Sequence, residues 1–297
     1  MQCWKKGPWL IAASIVLLVT GALWAAVTTI PSSALISSNQ LYTDTIGGGI
    51  GAIVTSGNLQ SDGRNDDGSS AANPLGFTLN FFGNNYTQYF INNNGNITFQ
   101  SALHVFTPQG PQGATQPVIS PFFADVDTQN PASGVVHLRT DIPNQIIVTW
   151  SQVGYFSSNA DKLDNFQLVL RGPAYSVPPG EGRIGFFYTN MQWEVGDASG
   201  GTGGFCVPPN TVGDTCFPAA IGFGDGNSNG ITIQGSLQNG IAASLQNKRI
   251  WFDLNGGVPV VSGTTTVPTL GTYGMMMLGI LLFGAALWYT RREAQSA

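Results

Sequence analysis

An all-β fold, an antiparallel β-sandwich-like ectodomain set between two apolar ends, is what this 297-residue sequence predicts. Charged residues make up 9% and aromatics 11% of the chain, with 39 glycines, a balance that favours short strands and tight turns over helices. Alternating apolar and polar runs recur through the interior, separated by clusters of Asn, Gly, Pro and Asp. A single β-rich domain of about 200–250 residues lies within the usual range, so the chain is long enough to bury one real core.

Residues 1–34 read as a signal sequence, the expected N-terminal flanking helix. Lys5 and Lys6 precede an apolar stretch from Trp9 to Val27, and small residues at Ala25-Ala26 and Ser32-Ser33-Ala34 offer places for cleavage. The stretch is also long enough to serve as an uncleaved anchor, and both outcomes export the rest. Residues 35–73 form a polar, Gly-rich lead-in with Gly47-Gly48-Gly49 and the run Asp62 to Ser70, and little core of its own is expected there.

From Gly76 the pattern becomes that of a strand, with Phe77, Leu79 and Phe81 alternating with Thr78, Asn80 and Phe82. Gln88 to Ile91 and Asn96 to Phe99 flank Asn92-Asn93-Asn94-Gly95, whose Asn-Gly pair supplies the positive φ of a hairpin turn. A second hairpin joins Val135 to Arg139 with Gln145 to Trp150 across Asp141-Ile142-Pro143-Asn144. Further strands are expected at Val118 to Phe123, Phe166 to Leu170, Arg183 to Tyr188, Ala219 to Phe223, Ile231 to Gln234 and Ile250 to Phe252, about ten in all, which is the count of a sandwich.

Residues 255–266 are a linker and residues 267–297 a tail. Within the tail, residues 270–289 are apolar and uncharged, long enough to cross a bilayer at ~1.5 Å per residue, and end in Trp288-Tyr289 followed by Arg291-Arg292. This transmembrane helix puts the interior of the chain outside the cell. Seven of the eleven Lys and Arg and fifteen of the sixteen Asp and Glu lie between the two apolar ends, leaving that region near −8. Such a surface repels phosphate backbones, so nucleic acid is not an expected partner.

Cys3 precedes the first apolar stretch. Cys206 and Cys216 enclose a short loop with Pro208-Pro209-Asn210, and in an exported chain such a pair most simply forms a local disulfide. A zinc set would need a second pair of thiols or a nearby His. His104 and His137 are the two histidines, and no Gly-x-Ser-x-Gly elbow is present, so a nucleophilic triad is not expected and His104 reads as structural.

Asp125 and Asp127 stand two apart at the end of a strand pattern, on one face if the strand continues. Three roles are open to them: capping turns through backbone N–H groups, sharing a calcium ion, or acting as a catalytic pair. Asp62, Asp66 and Asp67 offer hard oxygen ligands in a Gly-rich loop, but without the acidic residue that closes an EF-hand, so a solvated turn is the favoured reading over a calcium loop. Trp150 and Trp193 fall at core-like strand positions, with a sugar platform as the alternative.

The string Phe81-Phe82-Gly83-Asn84-Asn85-Tyr86-Thr87, with Tyr89 and Ile91-Asn92-Asn93-Asn94-Gly95-Asn96-Ile97-Thr98-Phe99, resembles the opening of the extracellular nidogen-like domain shared by nidogen, alpha-tectorin and some mucins. Ile119 to Thr128, Val148 to Phe156, Phe166 to Leu170, Tyr188 to Trp193 and Ala220 to Phe223 are similar to its later landmarks, in the same order, so the resemblance covers roughly Pro74 to Leu254. It implies a non-enzymatic module of adhesion or matrix assembly that requires no cofactor and binds an extracellular protein or glycan. A carbohydrate- or calcium-binding component of an exopolysaccharide matrix is the competing class, and a secreted hydrolase the third.

The tail resembles a second known element. Val267-Pro268-Thr269-Leu270, the apolar span and Arg291-Arg292 are similar to bacterial C-terminal sorting signals that open with Ile-Pro-Thr-Leu, with Val267 here in place of Ile. The resemblance implies processing by an exosortase-like membrane protease, and hence a membrane anchor that is transient.

Overall fold

The computed structural model describes residues 27–110, 115–207, 216–227, 229–263 and 279–282. In chain order its strands are β1 (Val27–Ile30), β2 (Ile36–Ser37), β3 (Ala52–Ile53), β4 (Asn73–Phe81), β5 (Asn84–Asn92), β6 (Asn96–Thr98), β7 (Pro117–Phe123), β8 (Val136–Arg139), β9 (Gln145–Tyr155), β10 (Asn159–Arg171), β11 (Ile184–Asn190), β12 (Ala220–Asp225), β13 (Gly230–Ile233), β14 (Lys248–Asn255) and β15 (Val258–Val261). Two one-turn helices join them, α1 (Tyr42–Ile46) and α2 (Ile241–Leu245). One sheet runs β1-β13-β12-β7-β6-β5-β4 and the other β15-β14-β11-β10-β9-β8-β3, with β2 added beside β14. All pairings are antiparallel except β1 with β13.

The expected strands and both hairpins are present. In the first hairpin Asn92 pairs with Asn96, and Gly95 turns the chain at φ +75°. A Cβ there would stand 1.7 Å from the Phe122 carbonyl oxygen, so both conformation and space demand glycine. In the second, β8 and β9 are in register from Val136 with Trp150 to Arg139 with Ile147.

The core between the sheets is largely aromatic. Phe122 packs on Phe166 at 5.2 Å, Phe166 stacks on Trp150 at 5.1 Å, and Phe223 stacks on Phe186 at 5.2 Å and meets Phe252 edge-on at 4.8 Å. Such offset and edge-on pairs add about 0.5–1.5 kcal/mol each to the gain from burial. Two polar pins cross the same gap: Tyr188 Oη donates to Pro121 O at 2.7 Å, and Trp150 Nε1 to Asn93 O at 3.0 Å.

The lead-in differs from expectation. Leu41, Tyr42 and Val54 are buried, and Leu41 and Tyr42 close a second apolar cluster with Ile147, Val169, Phe187 and Trp251 on the outer face of the β9-β10-β11-β14 region. That cover explains why β9, β10 and β11 are buried on both faces over most of their length. Local periodicity missed it because two apolar residues in a polar stretch make no pattern.

Beneath α1 the Arg171 side chain is fully buried, with its guanidinium 4.4 Å from the Trp251 ring, 4.5 Å from Tyr175 and 4.9 Å from Tyr42. Its donors reach Gln145 Oε1, Gly182 O, Tyr42 Oη and the Glu181 carboxylate, so the buried charge is paired and hydrogen-bonded through all three nitrogens.

Residues 27–34, grouped with the signal sequence above, form β1 and a short 3-10 turn at Ser32–Ala34. Among the described residues no helix is long and apolar enough to cross a membrane. The first apolar stretch and the expected span at 270–289 lie outside the described residues, apart from Val27 in the former and the helical residues 279–282 in the latter. Val267, Pro268, Thr269, Leu270, Arg291 and Arg292 are likewise outside them.

Gly95→Ala is expected to destabilise the fold by about 2–4 kcal/mol, from left-handed strain and the clash with Phe122 together. The midpoint of denaturant unfolding measures this.

Candidate functional site

The turn between β5 and β6 sets up the polar end of the sandwich. Asn92, Asn93, Asn94 and Asn96 are all buried there, and the amides of Asn92, Asn93 and Asn94 bond beyond the turn. Asn92 Nδ2 donates to Asn96 Oδ1 at 2.7 Å and Thr98 Oγ1 at 3.1 Å, while its Oδ1 accepts from Ser69 Oγ at 2.8 Å and the Leu103 N–H at 3.0 Å. Asn93 Nδ2 donates to Val126 O. Asn94 Oδ1 accepts the Val126 N–H at 2.9 Å, and its Nδ2 donates to Asp67 Oδ1 at 2.7 Å. The loop before β4 and the segment after β7 are therefore held against one turn.

That arrangement brings three carboxylates together. One oxygen each from Asp66, Asp67 and Asp125 lie within 4.8 Å of one another. Asp125 is 1% exposed and its Oδ2 is buried without a hydrogen-bond partner; Asp66 Oδ1 is buried without one as well. Gly196 passes so close that a Cβ on it would come 2.4 Å from Asp125 Oδ2. Among the described residues no Lys or Arg forms an ion pair with any of the three.

Burial, reinforced by the charges of Asp67, Asp66, Asp127 and Asp197, pushes the Asp125 carboxyl up to about 7. Burial and the neighbouring Asp67 and Asp127 raise Asp66 to about 6. Asp67 is raised by burial, with the Asn94 hydrogen bond and His104 acting against the shift. Chemically, such a cluster can hold protons or a hard cation.

The fold separates the residues that sequence reasoning grouped. β7 ends at Phe123, so Asp125 and Asp127 both follow it. Asp127 turns away: its Oδ1 accepts the Gln129 N–H at 2.8 Å, and its Oδ2 accepts the Ser158 N–H at 2.7 Å and Ser158 Oγ at 3.2 Å. Asp62 stays in its own exposed turn, where Oδ1 accepts the Arg64 N–H at 3.1 Å. Asp66 and Asp67 are the members of that loop that reach Asp125.

His104 Nδ1 lies 2.8 Å from Asp67 O, and His137 Nδ1 lies 3.1 Å from Gly51 O. Trp150 and Trp193 are fully buried, and Trp193 Nε1 donates to Val153 O at 3.0 Å, so neither presents a face to a sugar. Cys206 and Cys216 form a disulfide with their Cα atoms 5.8 Å apart, and residues 208–215 between them lie outside the described residues. From the sequence Asn93 and Asn94 read as turn residues and Ser69 as part of a polar run, none of them as a site residue. Their signal was a run of amides longer than a turn requires.

Fold and site together define a two-sheet, mostly antiparallel β module whose polar end is organised by asparagines and carries an uncompensated acidic cluster. The chain belongs to the family described as NIDO related, whose model matches residues 41–213. The match starts within the lead-in, in keeping with the packing of Leu41 and Tyr42. The chain is 30% identical over 199 residues to alpha-tectorin of Mus musculus, covering 58% of this chain and 8% of that protein. It is 29% identical over 199 residues to alpha-tectorin of Gallus gallus, covering 58% and 9%, and 27% identical over 149 residues to nidogen of Drosophila melanogaster, covering 41% and 11%. The chain thus spans about a tenth of the length of these relatives. No solved structure matches it significantly.

The raised carboxyls carry a sign. Both folded values, about 6 for Asp66 and about 7 for Asp125, exceed those of the unfolded chain, so their contribution is fully present below about pH 4 and is lost as pH rises through 6 to 7. In chelator-containing buffer the melting temperature is expected to fall between pH 5 and pH 8, and Asp125→Asn to flatten that fall. Thermal scans across the pH series measure both.

Proposed function

We propose that this chain is an exported bacterial interaction module, non-enzymatic, that works in adhesion or matrix assembly at the cell surface or outside the cell. The observation that carries the reading is the family match over residues 41–213, with relatives named alpha-tectorin and nidogen. The Cys206–Cys216 disulfide supports an oxidising compartment. Its binding partner is an extracellular protein or glycan, met by loops or one sheet face.

Delivery uses the N-terminal signal. Cleavage at Ala25-Ala26, rather than near Ala34, is favoured by the pairing of Val27–Ile30 with β13. Retention or release then follows from the tail at 267–297, with residues 270–289 as the membrane segment and an exosortase-like protease as the processing partner. Mass spectrometry of the mature protein from envelopes and medium is expected to find an N-terminus within a few residues of Val27 and a C-terminus before Ala297. A mature chain beginning after Ala34, or intact through Ala297, would contradict this route.

The absence of hydrolysis belongs to the same reading. Glycosidase or esterase turnover by the purified ectodomain that disappears in Asp125→Asn would overturn it.

A specific cleft favours glycan as a second reading of the ligand. Asn84, Asn85, Tyr86, Gln100, Gln116, Asp225 and Asn227 line an open polar depression of 460 Å³ at the β5 and β12 ends of one sheet. Amide and carboxylate groups beside one aromatic ring match sugar hydroxyls and a sugar face. Glycan-array binding that Tyr86→Ala and Asn85→Ala abolish while Trp193→Phe leaves intact is the expected signature of that reading.

A further inference from the structure

We propose that Asp66, Asp67 and Asp125 form a binding site for a single divalent cation of the calcium class, which ties the loop before β4 to the segment after β7. Calcium takes oxygen ligands at about 2.3–2.6 Å, so two ligands on one ion stand at most roughly 5 Å apart. The three carboxylate oxygens meet that limit, lying within 4.8 Å of one another.

An independent observation is the state of Asp125. A side chain 1% exposed, with Oδ2 lacking any donor, is a buried acceptor that the protein itself does not satisfy. Buried charges in proteins are paired or coordinate metals, because an isolated one costs several kcal/mol or protonates instead. Here the pairing is missing: Arg64, two residues before Asp66, sends Nη1 to the carbonyls of Thr128, Asn130 and Ser133, and its Nε faces Asp62. The surroundings are also short of donors rather than acceptors. Asp66 Oδ1 and Asn65 Oδ1 in the loop, and Asn93 Oδ1 in the β5–β6 turn, are buried without one.

The donor set selects the ion class. All three ligands are carboxylate oxygens, which suit hard cations. His104, the nearest candidate for a softer metal, has Nδ1 directed at the Asp67 carbonyl. Asn94 Nδ2 donates to Asp67 Oδ1 while Asn94 Oδ1 accepts the Val126 N–H, so one ligand is oriented from behind. The raised carboxyl pKa values described above mean that protons compete with the ion.

Isothermal titration of the purified chain, first stripped with chelator, against CaCl2 tests the site, with thermal unfolding in parallel. One ion per chain and a higher melting temperature with calcium are expected. Asp66→Asn and Asp125→Asn should weaken binding by roughly tenfold or more, while Asp62→Asn leaves it unchanged. Asp125→Asn removes an uncompensated buried charge, so in chelator it should melt no lower than the parent chain, and loss of binding there reports the ligand rather than the fold. No uptake of calcium at millimolar concentration, or uptake unaffected by both Asp66→Asn and Asp125→Asn, would overturn the proposal. Neither result bears on the interaction role proposed above, which rests on the family match.

Discussion

The buried amides of the β5–β6 turn are the constraint on which the rest of this structure depends. A hairpin turn normally faces water, where its backbone groups are satisfied without cost. Here the turn is covered from three directions, by the loop before β4, the segment after β7 and the Trp150 indole. Buried polar groups must find partners, and the Asn92, Asn93 and Asn94 side chains supply both donors and acceptors at fixed distances from the backbone. An aliphatic residue at any of these positions would remove hydrogen bonds that tie another segment to the turn. The acidic cluster is a by-product of that geometry, since Asn94 binds the side chain of Asp67 and the backbone beside Asp125 at once.

The opposite face of the molecule solves a different problem. A sandwich strand usually alternates, one side in the core and one in water. The outer face of β9, β10, β11 and β14 instead carries Ile147, Val169, Phe187 and Trp251, and it is closed by Leu41, Tyr42 and the caged Arg171. The guanidinium serves as a flat, charged plug between aromatic rings, with Glu181 as counter-ion and Tyr42 as both ring and hydrogen-bond partner. The lead-in is thereby part of the domain rather than a tether to it.

How much of this could be read beforehand depended on whether the cause was local. The strands of both hairpins were legible because alternation and Asn-Gly or Pro-Asn turns are written in consecutive residues. The disulfide was legible from two cysteines in a chain of exported character. Tyr42 was not, because its role is set by Trp251 and Arg171, more than a hundred residues away in sequence. The grouping of Asp125 with Asp127 assumed that the strand continued, whereas β7 stops at Phe123 and the chain turns. Asp66 and Asp67 were noticed as a loop, but only the fold shows that they face Asp125 while Asp62 does not. Trp150 was legible as core from its strand context; Trp193 lies past the end of β11 at Asn190, in irregular chain, and is buried all the same.

The one parallel pairing among the described residues, β1 against β13, also lies at an edge of its sheet. With Val27–Ile30 in place, the backbone groups of β13 on that side are engaged and the sheet is bordered there by β1. If those four residues were trimmed away, β13 would present a bare row of N–H and C=O groups, the kind of edge onto which a strand from another molecule can add. Keeping or losing those four residues would therefore leave this edge of the sheet covered or open to a strand from a neighbouring molecule.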